Sequence, residues 1–317
     1  MVDQQNDQQL KELALRQVLI KVSGNAQINA LNGSQQLLEQ TQSVLSQFGY
    51  RNFTDGRYFV AVFDQDKINQ ALKEMQQPIW GETRPQTLIW LSVDDDNKRS
   101  LISDNMMNNN QDDVLSSALK TAQLQRGISL RFPLMDLEDN LAVSLSDISG
   151  RFYDQIAAAS QRYDASHFIV AKLKQQDMQT WDLAWSLVYI NPQSKKNQVV
   201  ASAQLRGEKS VVLTNMANAT ADYYADQYAI LDTGGNNLSQ SIYINGITSL
   251  QQYEKLNQLL SSILAIASYE FVSVDAQQVK VNIKVQGDIN SFKNALSIQA
   301  NLQLDASQSE MLHFNWY

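Results

Sequence analysis

The chain has 317 residues, 44% of them hydrophobic, with a formal net charge of -8 and no cysteine. That length and apolar content allow buried cores of ordinary size in two or three domains. The negative balance, with no Lys/Arg cluster of five or more to offset it, argues against nucleic-acid or anionic-lipid binding; the missing cysteines exclude disulfides, thiolate zinc sites and a cysteine nucleophile.

Taken in order, residues 8–22 predict a helix with Leu10, Leu13, Ala14 and Val18 on one face, closed at Ser23-Gly24. Ser34 reads as the cap of a second helix, whose stripe runs through Leu37, Leu38, Thr41, Val44, Leu45 and Phe48. Tyr50–Thr54 and Arg57–Phe63 flank Asp55-Gly56, the strongest short hairpin signal, and a third helix covers Gln65–Met75. This gives an α+β domain over residues 1–82. The run from Pro78 to Leu91 then reads as a junction, because each of its prolines lacks a backbone donor and pushes the preceding residue out of the helical region. Pro78, Trp80, Gly81, Arg84, Pro85 and Trp90 are its structural residues, expected to set the angle between the first two domains.

Beyond the junction, Thr87–Val93 is a short apolar run suited to a buried strand. Ser103–Asp113, with four asparagines, reads as a loop. Val114–Gln125 predicts a helix ended by Gly127, Ile128–Phe132 a strand stopped by Pro133, and Phe152–Tyr163 another helix. His167–Leu173, Trp181–Ile190 and Val199–Leu205 read as strands, the last following a turn at Asn191-Pro192-Gln193-Ser194, and a long helix runs from Glu208 to Tyr228. Residues 83–233 therefore form a layered α/β domain. Leu231–Asn237 reads as a linker, because its paired glycines and asparagines favour turns. In residues 234–317, Ile242–Ile247 is a strand, Thr248 with Gln251 forms a capping box for a helix, and Tyr269–Val274 and Val279–Val285 are strands. Asp288 caps a last helix and Leu302–Leu304 returns as a strand, the βαββαβ order of a ferredoxin-like domain.

Side chains able to carry chemistry are sparse. Only His167 and His313 are present, far apart, and no Gly-x-Ser-x-Gly elbow accompanies them. Asp136, Glu138 and Asp139 follow Pro133 just past a strand end, where α/β sheets commonly place ligands, and could hold a hard cation or act as acid and base. Neither they nor Asp94-Asp95-Asp96 match a calcium loop, and Gly234-Gly235 lacks the Lys-Ser/Thr of a phosphate loop. Trp181 and Trp185, four apart in a strand, share a face and read as core. Arg84, fixed between Gly81 and Pro85, could clamp a carboxylate, a structural ion pair being the commoner use of such a residue. No metal and no organic cofactor is expected.

The run Pro78-Ile79-Trp80-Gly81 through Arg84-Pro85 to Leu88-Ile89-Trp90-Leu91 resembles the proteobacterial family catalogued as domain of unknown function two-thousand-sixty-six. Ala14-Leu15 to Val22-Ser23-Gly24, Arg131–Asp136 and Ala159–Tyr163 share in that resemblance. The family brings no established activity; its members generally carry signal peptides, which implies a periplasmic protein. The first residues here lack the basic and apolar regions of a signal peptide, so either the peptide has been removed and Met1 added, or the protein is cytoplasmic. The middle segment, with Asp136 near a strand end and Asp164–Ala171, resembles the amino-terminal TolB-like fold shared with flagellar H-ring proteins, departing from their usual Gly-Ala-Asp at Asp164-Ala165-Ser166. Those relatives bind other envelope proteins without catalysis. The expected function is thus a non-catalytic interaction or adaptor module in cell-envelope assembly or maintenance, with envelope proteins as partners, no nucleic acid and no membrane-spanning segment. The alternatives are a hydrolase of cell-wall glycans using Asp136, Glu138 or Asp139, or a small-ligand carrier.

Overall fold

The computed structural model describes residues 2–53, 56–95, 98–109, 112–191, 196–232, 238–275, 278–299, 301–305 and 312–317. Five expected features fall partly elsewhere: positions 54–55 of the hairpin, position 96 of the aspartate run, positions 110–111 of the asparagine-rich loop, positions 192–194 of the proline turn, and positions 233–237 of the linker. The fold is mixed α and β, with three sheets among the described residues. The chain gathers into two compact units, residues 1–83 with 225–317, and residues 84–224.

The first unit opens with α1 (Val2–Ser23), which ends where Gly24 takes a left-handed φ of 72°. Then come α2 (Asn32–Glu39), α3 (Thr41–Val44), the hairpin β1 (Leu45–Phe53) and β2 (Gly56–Phe63), and α4 (Gln65–Glu74). The sequence stripe carried the second helix on to Phe48. Instead, strand β1 begins at Leu45, because Leu45 pairs with Phe63 and Phe48 with Ala61, cross-strand contacts that a helix would forfeit. Leu15, Leu19, Ile28, Leu38, Val44, Ile68, Leu72 and Ile79 form the core here.

The second unit holds β3 (Gln86–Asp95), β4 (Lys98–Leu101), α5 (Asp104–Asn108), α6 (Asp113–Arg126), β5 (Ser129–Arg131), α7 (Leu137–Ala142), α8 (Leu145–Gly150), α9 (Tyr153–Ser160), β6 (His167–Gln175), β7 (Trp181–Ile190) and β8 (Asn197–Gly207). The long helix α10 (Lys209–Tyr228) follows, beginning in this unit and ending in the first. Part of the expected asparagine-rich loop is helix α5: the Ser103 hydroxyl accepts from the Met106 N–H, and Met107 is buried. The predicted helix to Tyr163 stops at Ser160 and finishes as one tighter turn.

The sheet order is β4-β3-β6-β7-β8, with β3 and β6 parallel and β5 sharing the β4 side of β3. Strand β3 is buried from Thr87 to Val93, mostly with apolar side chains, because both its faces are covered. Leu88, Trp90, Phe168 and Val170 meet Ile148, Ile156 and Ala157 of α8 and α9. On the opposite face Thr87 hydrogen-bonds Tyr224 of α10, and α10 is joined to α6 through Arg126, Asn218 and Asp222.

The remaining elements, β9 (Leu238–Asn245), α11 (Leu250–Ser262), β10 (Ile266–Val274), β11 (Gln278–Val285), α12 (Ile289–Ser297), β12 (Leu302–Leu304) and β13 (Leu312–Trp316), return to the first unit. Val279, Val281, Ile283 and Val285 all face its second core, as their alternation required. Asp288 caps α12 as predicted, whereas the cap of α11 is Ser249 with Gln252, one residue later than expected. The sheet order β10-β11-β9-β13-β12 contains one strand beyond the predicted βαββαβ: β13 lies parallel to β9, between it and β12. Within this unit Ile79 and Ile230 exchange backbone hydrogen bonds of 2.9 and 2.8 Å, and the Trp80 N–H donates to the Val22 carbonyl at 2.6 Å. The segment after Pro78 is thereby fixed to both α1 and the chain that leaves α10.

Candidate functional site

The acidic residues singled out from sequence do converge, and the group they converge on is a cation. Asp136 ends the segment after Pro133 and caps α7, its Oδ1 accepting from the Asp139 N–H at 3.1 Å. Both of its oxygens accept from Arg162, at 2.8 Å each, in a bidentate pair. Asp139 lies one turn into α7, 1% exposed. Its Oδ1 accepts from the same Arg162 Nη1 at 2.9 Å, and its Oδ2 accepts from the Tyr163 hydroxyl at 2.5 Å and the Met135 N–H at 2.8 Å. Glu138 is exposed and stands 3.6 Å from Arg162.

Electrostatics follow from this geometry. Hydrogen bonds from Arg162, then from the Asp139 backbone, hold the Asp136 carboxyl well below the usual carboxylate range, and Asp136 in turn raises the Arg162 guanidinium. Burial, with the hydrogen bond to Asp139 second, pushes the Tyr163 hydroxyl up to about 12. Tyr163 therefore stays a donor to Asp139, while it accepts from the Leu134 N–H at 2.9 Å. Met135 has a left-handed φ of 56°, held by its N–H on Asp139 and by its carbonyl, which accepts from Asn140 at 2.7 Å. The cluster fastens the chain between β5 and α7 to the end of α9.

Two carboxylates that share one Arg162 nitrogen must lie within roughly 6 Å of each other, a separation that glycosidases use. Here the space between them is filled by the guanidinium. A general acid needs a raised carboxyl and a proton to give; Asp136 has the opposite shift. Among the described residues no group of three or more His, Asp or Glu side chains is arranged to hold a metal.

Arg84 lies elsewhere in the second unit. It is half-buried, and its Nη1 donates to the Arg126 carbonyl at 3.5 Å. Burial first, and the Arg126 charge second, bring it down to about 10. The neighbouring Arg126 is 3% exposed and pairs with Asp222 at 2.5 Å. Of the remaining junction residues, Pro85 is buried, Trp80 is 2% exposed, and Trp90 is fully buried with its indole N–H donating to the Ser160 hydroxyl at 2.9 Å. A Cβ at Gly81 would meet only Leu264 at 3.5 Å, ordinary contact distance.

Residues 1–81 match a family model described as a domain of unknown function, DUF8605. No curated protein matches the chain. Among solved structures it is similar to a PelC dodecamer from Paraburkholderia phytofirmans, at 8% identity and a TM-score of 0.24, covering 45% of this chain and 89% of that one. It is also similar to the hypothetical protein CT253 from Chlamydia trachomatis, at 9% identity and a TM-score of 0.24, covering 44% of this chain and 98% of that one.

The two histidines are both buried and lie in different units. His167 is 1% exposed, with its ring among Tyr189, Tyr224 and Tyr223 at centroid distances of 4.9, 5.1 and 6.1 Å, and burial lowers it to about 3. His313 stacks on Tyr243 at 4.7 Å. Trp181 and Trp185 are buried, as expected for core. Sequence reasoning passed over Arg162, whose distance from Asp136 along the chain hid their pairing, and Lys172, which reads only as a polar position in a strand. Lys172 lines both of two adjoining clefts, about 280 and 510 Å³, over the carboxyl-terminal parts of β3 and β6. No helix among the described residues is long and apolar enough to cross a membrane.

Proposed function

We propose that the protein is a non-catalytic periplasmic binding module that takes part in cell-envelope assembly or maintenance through contacts with other envelope proteins. The observation that carries this reading is the saturation of the acidic cluster: every oxygen of Asp136 and Asp139 is held by Arg162, Tyr163 or a backbone N–H. Carboxylates committed in this way serve the fold, which removes the main support for the glycan-hydrolase alternative. The periplasmic assignment rests on the absence of cysteine and on the resemblance of the Pro78–Leu91 run to a family whose members are exported. We place the chain in that family and assign a TolB-like descent to the middle segment and a ferredoxin-like one to the last. The β3-β6 parallel pair flanked by helices suits the first descent, and the β9-to-β12 element order suits the second.

The test is crosslinking in the intact envelope, with mass spectrometry of what copurifies with the full-length protein, alongside fractionation. Reproducible capture of one envelope complex from the periplasmic fraction is the expected result. Recovery in the cytosolic fraction, or glycan hydrolysis that disappears in Asp139→Asn without loss of folding, would overturn it.

A further inference from the structure

The sheet of the second unit is incompletely covered on the face that carries α8 and α9. Register places residues of that face in rows across the strands. One row runs Arg99, Asp94, Lys174, Asp182 and Arg206, so its charges alternate in sign from β4 to β8. Arg99 pairs with Asp94 at 2.8 Å, and Arg206 holds Asp182 with both a 2.6 and a 2.8 Å hydrogen bond. This row satisfies itself.

The row beside it, nearer the helices, runs Leu101, Ser92, Lys172, Ala184 and Gln204. It contains one charge. Lys172 is half-buried between two small neighbours, Ser92 and Ala184, and has no hydrogen bond or ion pair among the described residues. The nearby acids of the other row are already taken by the arginines. A lysine whose stem is half-buried and whose charge has no counter-ion is an unexpected arrangement in a chain of net charge -8.

The small neighbours of Lys172 leave the space that makes it reachable. The cleft of about 280 Å³ is lined by Ser92, Lys172, and Ser146 and Ser149 of α8, together with Asp94 and Arg99, which pair with each other. Lys172 also lines the adjoining cleft of about 510 Å³, with Ala184 and Gln204 and with Lys174 and the Asp182–Arg206 pair of the outer row. Together the clefts are of the size that small-molecule sites occupy. They lie over the carboxyl ends of the parallel strands β3 and β6, the position where open α/β sheets bind ligands.

We propose that this furrow binds a small phosphate-bearing molecule, with the phosphate on Lys172 and the serine hydroxyls and the remainder along Ala184 and Gln204. The carboxylates that border the clefts, Asp94 and Asp182, are each neutralised by an arginine, so the unpaired charge common to both clefts is the Lys172 ammonium, and with the serine hydroxyls it suits a group with several acceptor oxygens and full negative charge. Nothing in the furrow is arranged for catalysis, and this inference stands apart from the envelope reading.

The test is isothermal titration of the full chain at low ionic strength with inorganic phosphate and glycerol phosphate, and with succinate as the carboxylate comparison. Saturable binding of both phosphate probes is expected, weakening as salt rises. Lys172→Met should weaken it by about tenfold to a hundredfold, the loss of one charge-assisted contact, while Lys255→Met in the other unit leaves it unchanged. Amide shifts of the unmodified protein give a second readout that needs no variant: phosphate should move Ser92, Ser149 and Lys172. The proposal is overturned by absent saturation with phosphate, by equal binding in Lys172→Met, by shifts confined to other surfaces, or by binding of succinate alone.

Discussion

Replacing Ser160 by alanine tests how strand β3 and helix α9 are joined in the core of the second unit. Trp90 and Ser160 are both fully buried, and the indole N–H donates to the serine Oγ at 2.9 Å while that Oγ donates to the Ile156 carbonyl at 2.7 Å. Ser160→Ala strands the Trp90 donor away from water, a cost of about 1–3 kcal/mol. The Ile156 carbonyl keeps its helical partner, and alanine in the last turn of α9 returns roughly 0.5 kcal/mol in helix propensity. A net loss of about 1–2 kcal/mol follows. Trp90→Phe removes the donor, so Ser160→Ala in that background should be close to neutral, giving a coupling of about 1 kcal/mol or more. Urea unfolding followed by far-ultraviolet circular dichroism of the four proteins provides the cycle. A Ser160→Ala cost below about 0.5 kcal/mol together with strictly additive effects would refute this account of the core.

Burial of neutral His167 has a definite sign with pH. Its folded value is about 3, below the ordinary histidine range, so its contribution is complete above about pH 6.5 and is lost as pH falls from there toward 3. Urea midpoints measured across that window should decline, and His167→Phe should flatten the decline. Gly24→Ala should destabilise the first unit by about 1–3 kcal/mol, because φ is 72° and the new Cβ would lie 2.5 Å from the Ala225 Cβ; Ala225→Gly should recover part of the loss in the same unfolding assay. Trp80→Ala should cost about 3–5 kcal/mol, since the ring is 2% exposed and packs near Gly24, and calorimetry would show it as a lowered transition.

Strands with strict patterns were legible without coordinates. Val279 to Val285 alternate cleanly, and Leu88 to Val93 are apolar except for Ser92, so local composition dictated both their type and their burial. Errors arose where tertiary pairing overrode periodicity. Leu45 and Phe48 fit a helical stripe, yet their places opposite Phe63 and Ala61 in the hairpin decided the outcome. Strand β13 was missed because five residues at the chain end, with polar His313 and Asn315 inside it, become a strand only through its neighbours β9 and β12. The acidic cluster was visible as Asp136, Glu138 and Asp139; its meaning was not, because Arg162 and Tyr163 arrive from another helix. Lys172 shows the same gap, since only strand register reveals that its neighbours are small and that the acids nearby are occupied.

The non-catalytic reading depends on the state of Asp136, and carbon-detected carboxyl NMR across a pH titration measures that state directly. Its depressed value means that the ionised form is favoured in the fold; whatever stability the pair with Arg162 provides is present above the ordinary carboxylate range and lost only as pH falls below it. The Asp136 signal should therefore stay that of a carboxylate from neutral pH down through about 4. Titration between about pH 5 and 7, the range of a general acid, would contradict the structural role and restore the hydrolase reading.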